Sequence, residues 1–456
     1  MNPRTVAKKV IPKRAFRRVE PIGHLGEAVL LNTLKGGSPA RKMKVIGVTG
    51  TNGKTTTCFL IHRMLHDAGY KVGLVTTVGY GVGDEIKPQV EHMTTLPVGR
   101  LIKRLKDMED QGVEWLVLET TSHALAQHRV WGVPFSLAVM TNVTQEHLDY
   151  HGTFERYRDA KRRLFKLANS NRKGLRAGII NADDPSAELF ARDIAHPLTY
   201  GIKKGGLRAK GLALSASGSR FKAQIGADSY DITCHLPGSF NVYNALAAVG
   251  TGRVLGLTKE QIEKGIAGLK SVEGRMANVE EGQDFGVIVD YAHTPDSFEK
   301  LFKDIKPLAK GRLIAVFGSA GRRDEKKRPV QGALAGQYAD LVFITEEDDR
   351  DIDGMEIMDQ IAAGAEKAGK TRGQDLFLIH KREEAIKAAF REAKKGDVVL
   401  LLGKGHEKGI LSPGPKAAEL RHLQQDDNDP RRVIDRPYNE VETAQRTLRA
   451  LKKPRG

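Results

Sequence analysis

The chain of 456 residues has little cysteine, tryptophan or uninterrupted apolar sequence. Its two cysteines, Cys58 and Cys234, stand in unrelated contexts without metal-type spacing. A disulfide framework and a zinc cluster are thereby excluded, and both thiols read as small buried hydrophobes. Runs such as Val398–Leu402 are far shorter than the roughly 20 apolar residues of a membrane span, so no stable membrane insertion is expected. The opening stretch MNPRTVAKKVIPKRAFRRVE is charged throughout and lacks the apolar segment of a secretory signal, which predicts a cytoplasmic location. Positive charge, in contrast, is abundant: 73 Lys and Arg against 56 Asp and Glu leave +17. The basic residues gather at 8–18, 41–44 and 431–453 without interleaved aromatics. That distribution argues against a nucleic-acid partner and fits phosphorylated small-molecule substrates or anionic headgroups.

Four segments follow from the pattern. Residues 1–42 are basic, hold one weakly apolar stretch at 28–34, and contain Gly36-Gly37-Ser38-Pro39, which reads as a linker. From Met43, buried runs (KVIGVTG, KVGLVTT, WLVLETT, FSLAVMTNV, AGIINADD) alternate with amphipathic stretches. Such alternation predicts βαβ units and a parallel sheet covered by helices. Residues 209–235 change to short alternating segments between glycines, a small antiparallel section within a central domain spanning 43–271. A second, Rossmann-like doubly wound α/β domain is predicted over 272–415, and residues 416–456 read as a loosely ordered polar tail.

The strongest chemical signal is VIGVTGTNGKTT: a buried strand, a glycine-rich turn and a helix start. In that geometry backbone N–H groups of Gly50, Thr51, Asn52 and Gly53 surround a polyphosphate, Lys54 reaches the β- and γ-phosphates, Thr55 can ligate Mg²⁺, and Thr56 continues the first turn. The glycines stand at 47, 50 and 53 and Val48 departs from the standard P-loop spacing; the competing reading is a turn that binds nothing. Glu119 closes the buried run WLVLE, which puts a carboxylate on the C-terminal edge of the sheet beside the loop, able to hold Mg²⁺ or to cap a helix.

The loop GVTGTNGKTTT is similar to the phosphate loop of the Mur ligases. The segments LETTSHAL, MTNVTQEHLDYHGTFERYRDAKRRLF, LPGSFNVYNALAA, DYAHTPDSF, GSAGRRDEKKRP and LLGKGHE resemble, in the same order, signatures of the branch that adds the third amino acid of the peptidoglycan stem peptide. Folylpolyglutamate synthase shares the loop but fits the later segments less well. The resemblance implies an ATP-dependent amide ligase working through an acyl phosphate, with ATP and two Mg²⁺. It implies that Glu119 and His147 ligate the second metal, helped by a CO₂-derived carbamate on Lys161, and that Asn142 supports them. It puts Asn241 near the nucleotide base. It assigns Arg275, Asp290 and His293 to the nucleotide as well, in an ATP site shared by two domains that close before chemistry. The acceptor, a muramyl dipeptide, falls to Thr94, Thr95, Thr120, Thr121, Ser122 and Arg129. The incoming amino acid falls to Arg350, Gly403 and Glu407.

The chain departs from the family in two places. Diaminopimelate-adding members carry Asp-Asn-Pro-Arg where this sequence has Glu347-Asp348-Asp349-Arg350, which leaves diaminopimelate and lysine both open. Family members also have a full domain for the uridine diphosphate ahead of the loop, where a short basic segment stands here; a partner supplying that domain, or an acceptor without UDP, is compatible with it. The competing functions are a Mur-like ligase on a non-UDP or folate-type acceptor, and a non-catalytic ATP-binding protein.

Overall fold

The computed structural model describes residues 13–34, 37–89, 95–215, 218–420 and 430–452. The chain divides into two compact units, Met1–Lys270 and Ser271–Gly456.

In the first unit the apolar runs become strands: β1 (Lys44–Thr49), β2 (Val72–Val75), β3 (Gly79–Val82), β4 (Glu85–Pro88), β5 (Trp115–Glu119), β6 (Phe135–Met140), β7 (Ala177–Asn181), β8 (His196–Gly201), β9 (Leu207–Ser215), β10 (Gly218–Ile225) and β11 (Asp228–Cys234). They form one sheet ordered β11-β10-β9-β8-β7-β6-β1-β5-β2-β3-β4. Neighbours from β2 to β9 pair in parallel, and the outer strands at both ends are antiparallel. The central strands are buried along nearly their whole length, because helices cover both faces of a parallel sheet and leave it no solvated side. The helix Val98–Asp110 turns Val98, Leu101, Ile102, Leu105 and Met108 inward, a stripe of helical period. β1 lies between β5 and β6, so the glycine-rich turn leaves the middle of the sheet's C-terminal edge, where open α/β sheets bind ligands.

Ahead of the Gly36-Gly37-Ser38-Pro39 stretch read as a linker, Lys13–Leu34 is a helix, which the sequence reading did not assign. Its Ala28 and Leu31 pack on Val98 and Ile102, and the Asn32 amide donates to the Trp131 carbonyl at 3.4 Å. The weakly apolar stretch finds its partner in a helix some seventy residues on, which local sequence does not reveal.

The second unit holds β12 (Ala277–Asn278), β13 (Gly286–Asp290), β14 (Leu313–Phe317), β15 (Leu341–Ile344), β16 (Leu376–Leu378) and β17 (Val398–Leu402), ordered β12-β13-β17-β14-β15-β16. All pair in parallel except β12. The described part of the tail departs from the loosely ordered reading. β18 (Gly409–Pro413) pairs antiparallel with β19 (Val433–Pro437), and Glu440–Lys452 is a helix. Arg382 is fully buried, and Glu440 forks it at 2.7 and 2.8 Å. A guanidinium buried without a counter-charge would be strongly destabilising, so this pair ties the tail to the second unit. Among the described residues no helix is long and apolar enough to cross a membrane, and both cysteines are buried and unpaired.

Candidate active site

β1 ends in a turn only glycine can make. Gly50 has φ +152° and Gly53 +82°, and a Cβ at either would collide with the Thr141 hydroxyl or the Asn244 amide. The loop is anchored from β6's far end: Thr51 N–H donates to the Asn142 carbonyl at 2.7 Å, and Asn52 N–H to Asn142 Oδ1 at 2.9 Å. The Thr51 hydroxyl lies 2.9 Å from the Tyr157 hydroxyl. Lys54 starts the following helix, Lys54–Asp67, and folds its ammonium back over the loop to the Thr51 carbonyl at 2.7 Å. Thr55 and Thr56, in the first turn, are buried.

Glu119, at the end of β5, is almost fully buried and accepts from the Thr55 hydroxyl and from Thr77 N–H, both at 2.9 Å. A hydroxyl and a carboxylate side by side on the loop are the hard oxygen donors that Mg²⁺ takes. Lys161 projects from the inner face of the helix Phe154–Ser170 and is only 2% exposed. Its Nζ donates to the Gly50 carbonyl at 2.5 Å and lies 4.4 Å from the Tyr157 ring centre. Burial, with the nearby Lys54 charge added, holds the Lys161 amine well below the usual lysine range. The structure therefore gathers Lys54, Thr55, Glu119 and Lys161 around one turn. His147 lies further out: its side chain is 43% exposed, 3.7 Å from the Glu146 carboxylate, with backbone φ +55°. It contacts the His123 ring edge-on at 4.6 Å. Desolvation, then the neighbouring His147 and His151, push His123 down to about 2, so this inner histidine is neutral.

On the acceptor side, Thr121 caps the short helix Ser122–Ala126 by accepting from Ala124 N–H at 3.2 Å. Thr95 bonds the Glu119 carbonyl at 3.2 Å and Thr121 Oγ1 at 3.3 Å. The Arg129 guanidinium donates to the Thr95 carbonyl at 2.9 Å. Thr120 bonds the Leu118 carbonyl at 3.1 Å, and Ser122 pairs with His151 at 3.1 Å. Thr94 lies outside the described residues. Asn241 is committed within the fold: its amide donates to the Pro237 carbonyl at 2.6 Å and its Oδ1 accepts from Asn244 at 2.8 Å. Asn244 in turn receives the Thr57 hydroxyl at 3.3 Å, so the pair braces the loop's helix from behind. Tyr157, Thr77 and Thr141 escaped sequence reasoning. Tyr157 had one available signal, its position one helical turn before Lys161.

The second unit gathers its own groups on the C-terminal edge of its sheet. Asp290 ends β13 and accepts from Met276 N–H at 2.8 Å and Ala292 N–H at 2.7 Å; burial raises its carboxyl above the usual range, against the pull of Arg275. The Arg275 guanidinium stacks 4.5 Å from the Tyr291 ring centre, and His293 Nδ1 is 2.9 Å from the Tyr291 carbonyl. Tyr291 donates to Glu407 at 3.1 Å. Lys404, fully buried, is bonded to Glu407 at 2.5 Å and Asp348 at 2.9 Å. Burial opposes its charge, but the two carboxylates outweigh it and hold Lys404 above the ordinary lysine value. Arg350, with φ +56°, donates to the Gly321 carbonyl at 2.7 Å. Gly403, with φ +100°, lies against the Glu347 carboxylate: a Cβ there would stand 2.6 Å from Glu347 Oε2. That oxygen and the Ser319 hydroxyl are buried without a hydrogen-bond partner among the described residues. Ser319 was not singled out from sequence, and Glu347 was met there only as the first residue of the Glu347-Asp348-Asp349-Arg350 departure. Glu346, Asp349 and His380 also converge closely enough to hold a cation, but His380 bonds Asp349 at 2.7 Å and Arg436 bonds Glu346 at 2.7 Å, so the cluster is internally neutralised.

An edge of this kind suits triphosphate chemistry, and similarity to known proteins specifies which. Residues 48–252 match the Mur ligase middle domain, and residues 274–405 match the Mur ligase, glutamate ligase domain. The chain belongs to the Mur ligase family, ATP-dependent enzymes that form amide bonds. It is 43% identical over 402 residues to the UDP-N-acetylmuramyl-tripeptide synthetase of Roseiflexus sp. (strain RS-1), covering 84% of this chain and 79% of that protein. It is 42% identical to the UDP-N-acetylmuramoyl-L-alanyl-D-glutamate--2,6-diaminopimelate ligase of Geobacillus thermodenitrificans (strain NG80-2), covering 81% and 76%. A solved structure of a ligase with that same diaminopimelate name superposes with TM-score 0.62 at 28% identity, covering 95% of this chain and 83% of that one. Folylpolyglutamate synthase of Mycobacterium tuberculosis, at 16% identity and TM-score 0.68 over 88% of this chain and 95% of that one, shares the fold.

Proposed function

We propose that the chain joins a diamino acid, of the meso-diaminopimelate or lysine class, to a UDP-N-acetylmuramoyl-L-Ala-D-Glu-type acceptor in cytoplasmic peptidoglycan biosynthesis. The observation that carries this reading is the meeting of Lys54, the Thr55–Glu119 pair at 2.9 Å and buried Lys161 on one phosphate-type turn. The acceptor carboxylate attacks the γ-phosphorus of ATP, giving an acyl phosphate and releasing ADP. The amine of the incoming residue then adds to the acyl carbon, phosphate leaves, and a proton is released.

Lys54 and the loop N–H groups neutralise charge building on the transferring phosphoryl group. Thr55, Glu119, His147 and carbamylated Lys161 would hold two Mg²⁺, and magnesium, when bound, supplies further positive charge there. Lys161 suits carbamylation because a buried amine held below its ordinary range has the free lone pair that must attack CO₂; the new N–C bond forms as a proton leaves. Thr95, Thr120, Thr121, Ser122 and Arg129 orient the acceptor, and Gly50, Thr51, Asn52, Gly53, Thr56, Asn241, Arg275, Asp290 and His293 serve the nucleotide. Arg350, Gly403 and Glu407 serve the amino acid. The unpartnered Glu347 oxygen supports an ammonium-bearing side chain, since a buried carboxylate oxygen without a donor is unfavourable until a cation reaches it.

The test is phosphate release from ATP with muramyl dipeptide acceptors, with and without UDP, against diaminopimelate, lysine and ornithine. Release that depends on both acceptor and diamino acid is expected; turnover on none of these pairs would sink the reading.

A further inference from the structure

The helix Phe154–Ser170 has two working faces. Tyr157, Lys161, Leu164 and Phe165 point inward, and the outer face, together with Ala126, Tyr150 and His151, walls a cavity of about 400 Å³. Small residues form part of its lining, Ala126 and Ala160, and the cations Arg156, Arg162, Arg163 and Lys166 ring it. Its carboxylate, Asp159, is already engaged by Arg162 at 3.0 Å and Arg158 at 3.3 Å. Arg162 is further held by Asp193 at 2.7 and 3.1 Å. Among the described residues no carboxylate lies within ion-pair reach of Arg156 or Arg163; Arg163 donates only to the Leu125 carbonyl, at 3.3 Å. Lys166 reaches Asp193 at 3.9 Å.

Two arginines with uncompensated charge facing one concavity form a match for a phosphate group, whose oxygens accept the paired N–H donors of guanidinium. The volume exceeds what one phosphate fills and lies in the range of small-molecule sites. We propose that this cavity is an anion subsite for a diphosphate-bearing ligand, separate from the phosphate loop. His151 lines the cavity and also bonds Ser122 at 3.1 Å, so the subsite adjoins the helix assigned above to the acceptor. The diphosphate can come from a soluble nucleotide or from a lipid with a diphosphate headgroup.

The subsite is testable without ligase turnover, which keeps its failure distinct from failure of the functional reading. Lys54→Ala full-length protein, with the loop weakened, is titrated with inorganic pyrophosphate by calorimetry. Binding is expected, and it falls at least about tenfold in Lys54→Ala carrying Arg156→Glu and Arg163→Glu. The exposed control Lys203→Glu leaves it unchanged, and circular dichroism establishes that each variant is folded. UDP binding tighter than uridine assigns the soluble source. Co-sedimentation with phosphatidylcholine vesicles carrying an isoprenoid lipid diphosphate, but not with phosphatidylcholine alone, lost in the double reversal, assigns the headgroup source. No pyrophosphate binding by Lys54→Ala protein, or equal affinity in the charge-reversed protein, overturns the proposal.

Discussion

The C-terminal edges of the two sheets solve the same problem with different chemistry. On the first, backbone groups, hydroxyls and amides saturate one another around a glycine turn, and the deeply buried Lys161 meets a carbonyl rather than a carboxylate. On the second, charges are buried in pairs: Lys404 with Asp348 and Glu407, Arg382 with Glu440, Arg322 and Arg432 with Asp351. The first edge is therefore built of dipoles ready to receive a polyanion, and the second is a rigid ionic frame. A lysine left without a counter-ion loses its proton readily and becomes reactive. A lysine held between carboxylates stays charged and structural.

That contrast can be broken from either side. The largest expected effect is on the first edge: Lys54→Ala should lower the rate of phosphate release by at least ~10³-fold, with the fold intact by circular dichroism. Lys161→Ala should abolish most turnover, and added short carboxylates should restore part of it; failure of any such rescue counts against the carbamate. On the second edge the loss should be in stability. Arg382→Ala leaves Glu440 buried and unpaired and should destabilise the Ser271–Gly456 unit by about 3–5 kcal/mol, read by denaturant unfolding.

The smallest expected effect is in pH. Burial holds His62, in the phosphate-loop helix, down at about 4. Its folded value is below its unfolded one, so its contribution is full above about pH 6.5 and is lost by roughly 3 kcal/mol as pH falls toward 4. His380 has the opposite sign: its bond to Asp349 raises it, so its contribution is full below about pH 6.5 and fades as pH climbs through the raised folded value. Hydrogen exchange followed separately in the two units should show acid loosening the Lys54–Asp67 helix, and His62→Gln should flatten that response.

Sequence reasoning reached the parts whose signals are local. Strand runs such as WLVLE and FSLAVM announce a parallel core by continuous apolarity, and the glycines at 50 and 53 announce a turn that no other residue fits. It did not reach Tyr157 or Thr77, whose importance lies in partners dozens of residues away. It also misjudged the tail, where Glu440 reads as one more solvated acid until Arg382 is found beneath it.

What the amino-acid order determined by itself was the alternation of buried runs and helices, the phosphate-binding turn and the ordered motifs that identify the family, because each is written in residues adjacent along the chain. The tertiary structure decided that Lys161 is a buried amine instead of a surface charge, that the described part of the tail is folded, and that Arg156 and Arg163 line a cavity on the outer face of the helix Phe154–Ser170. Burial and pairing are properties of neighbours in space, and no local pattern carries them.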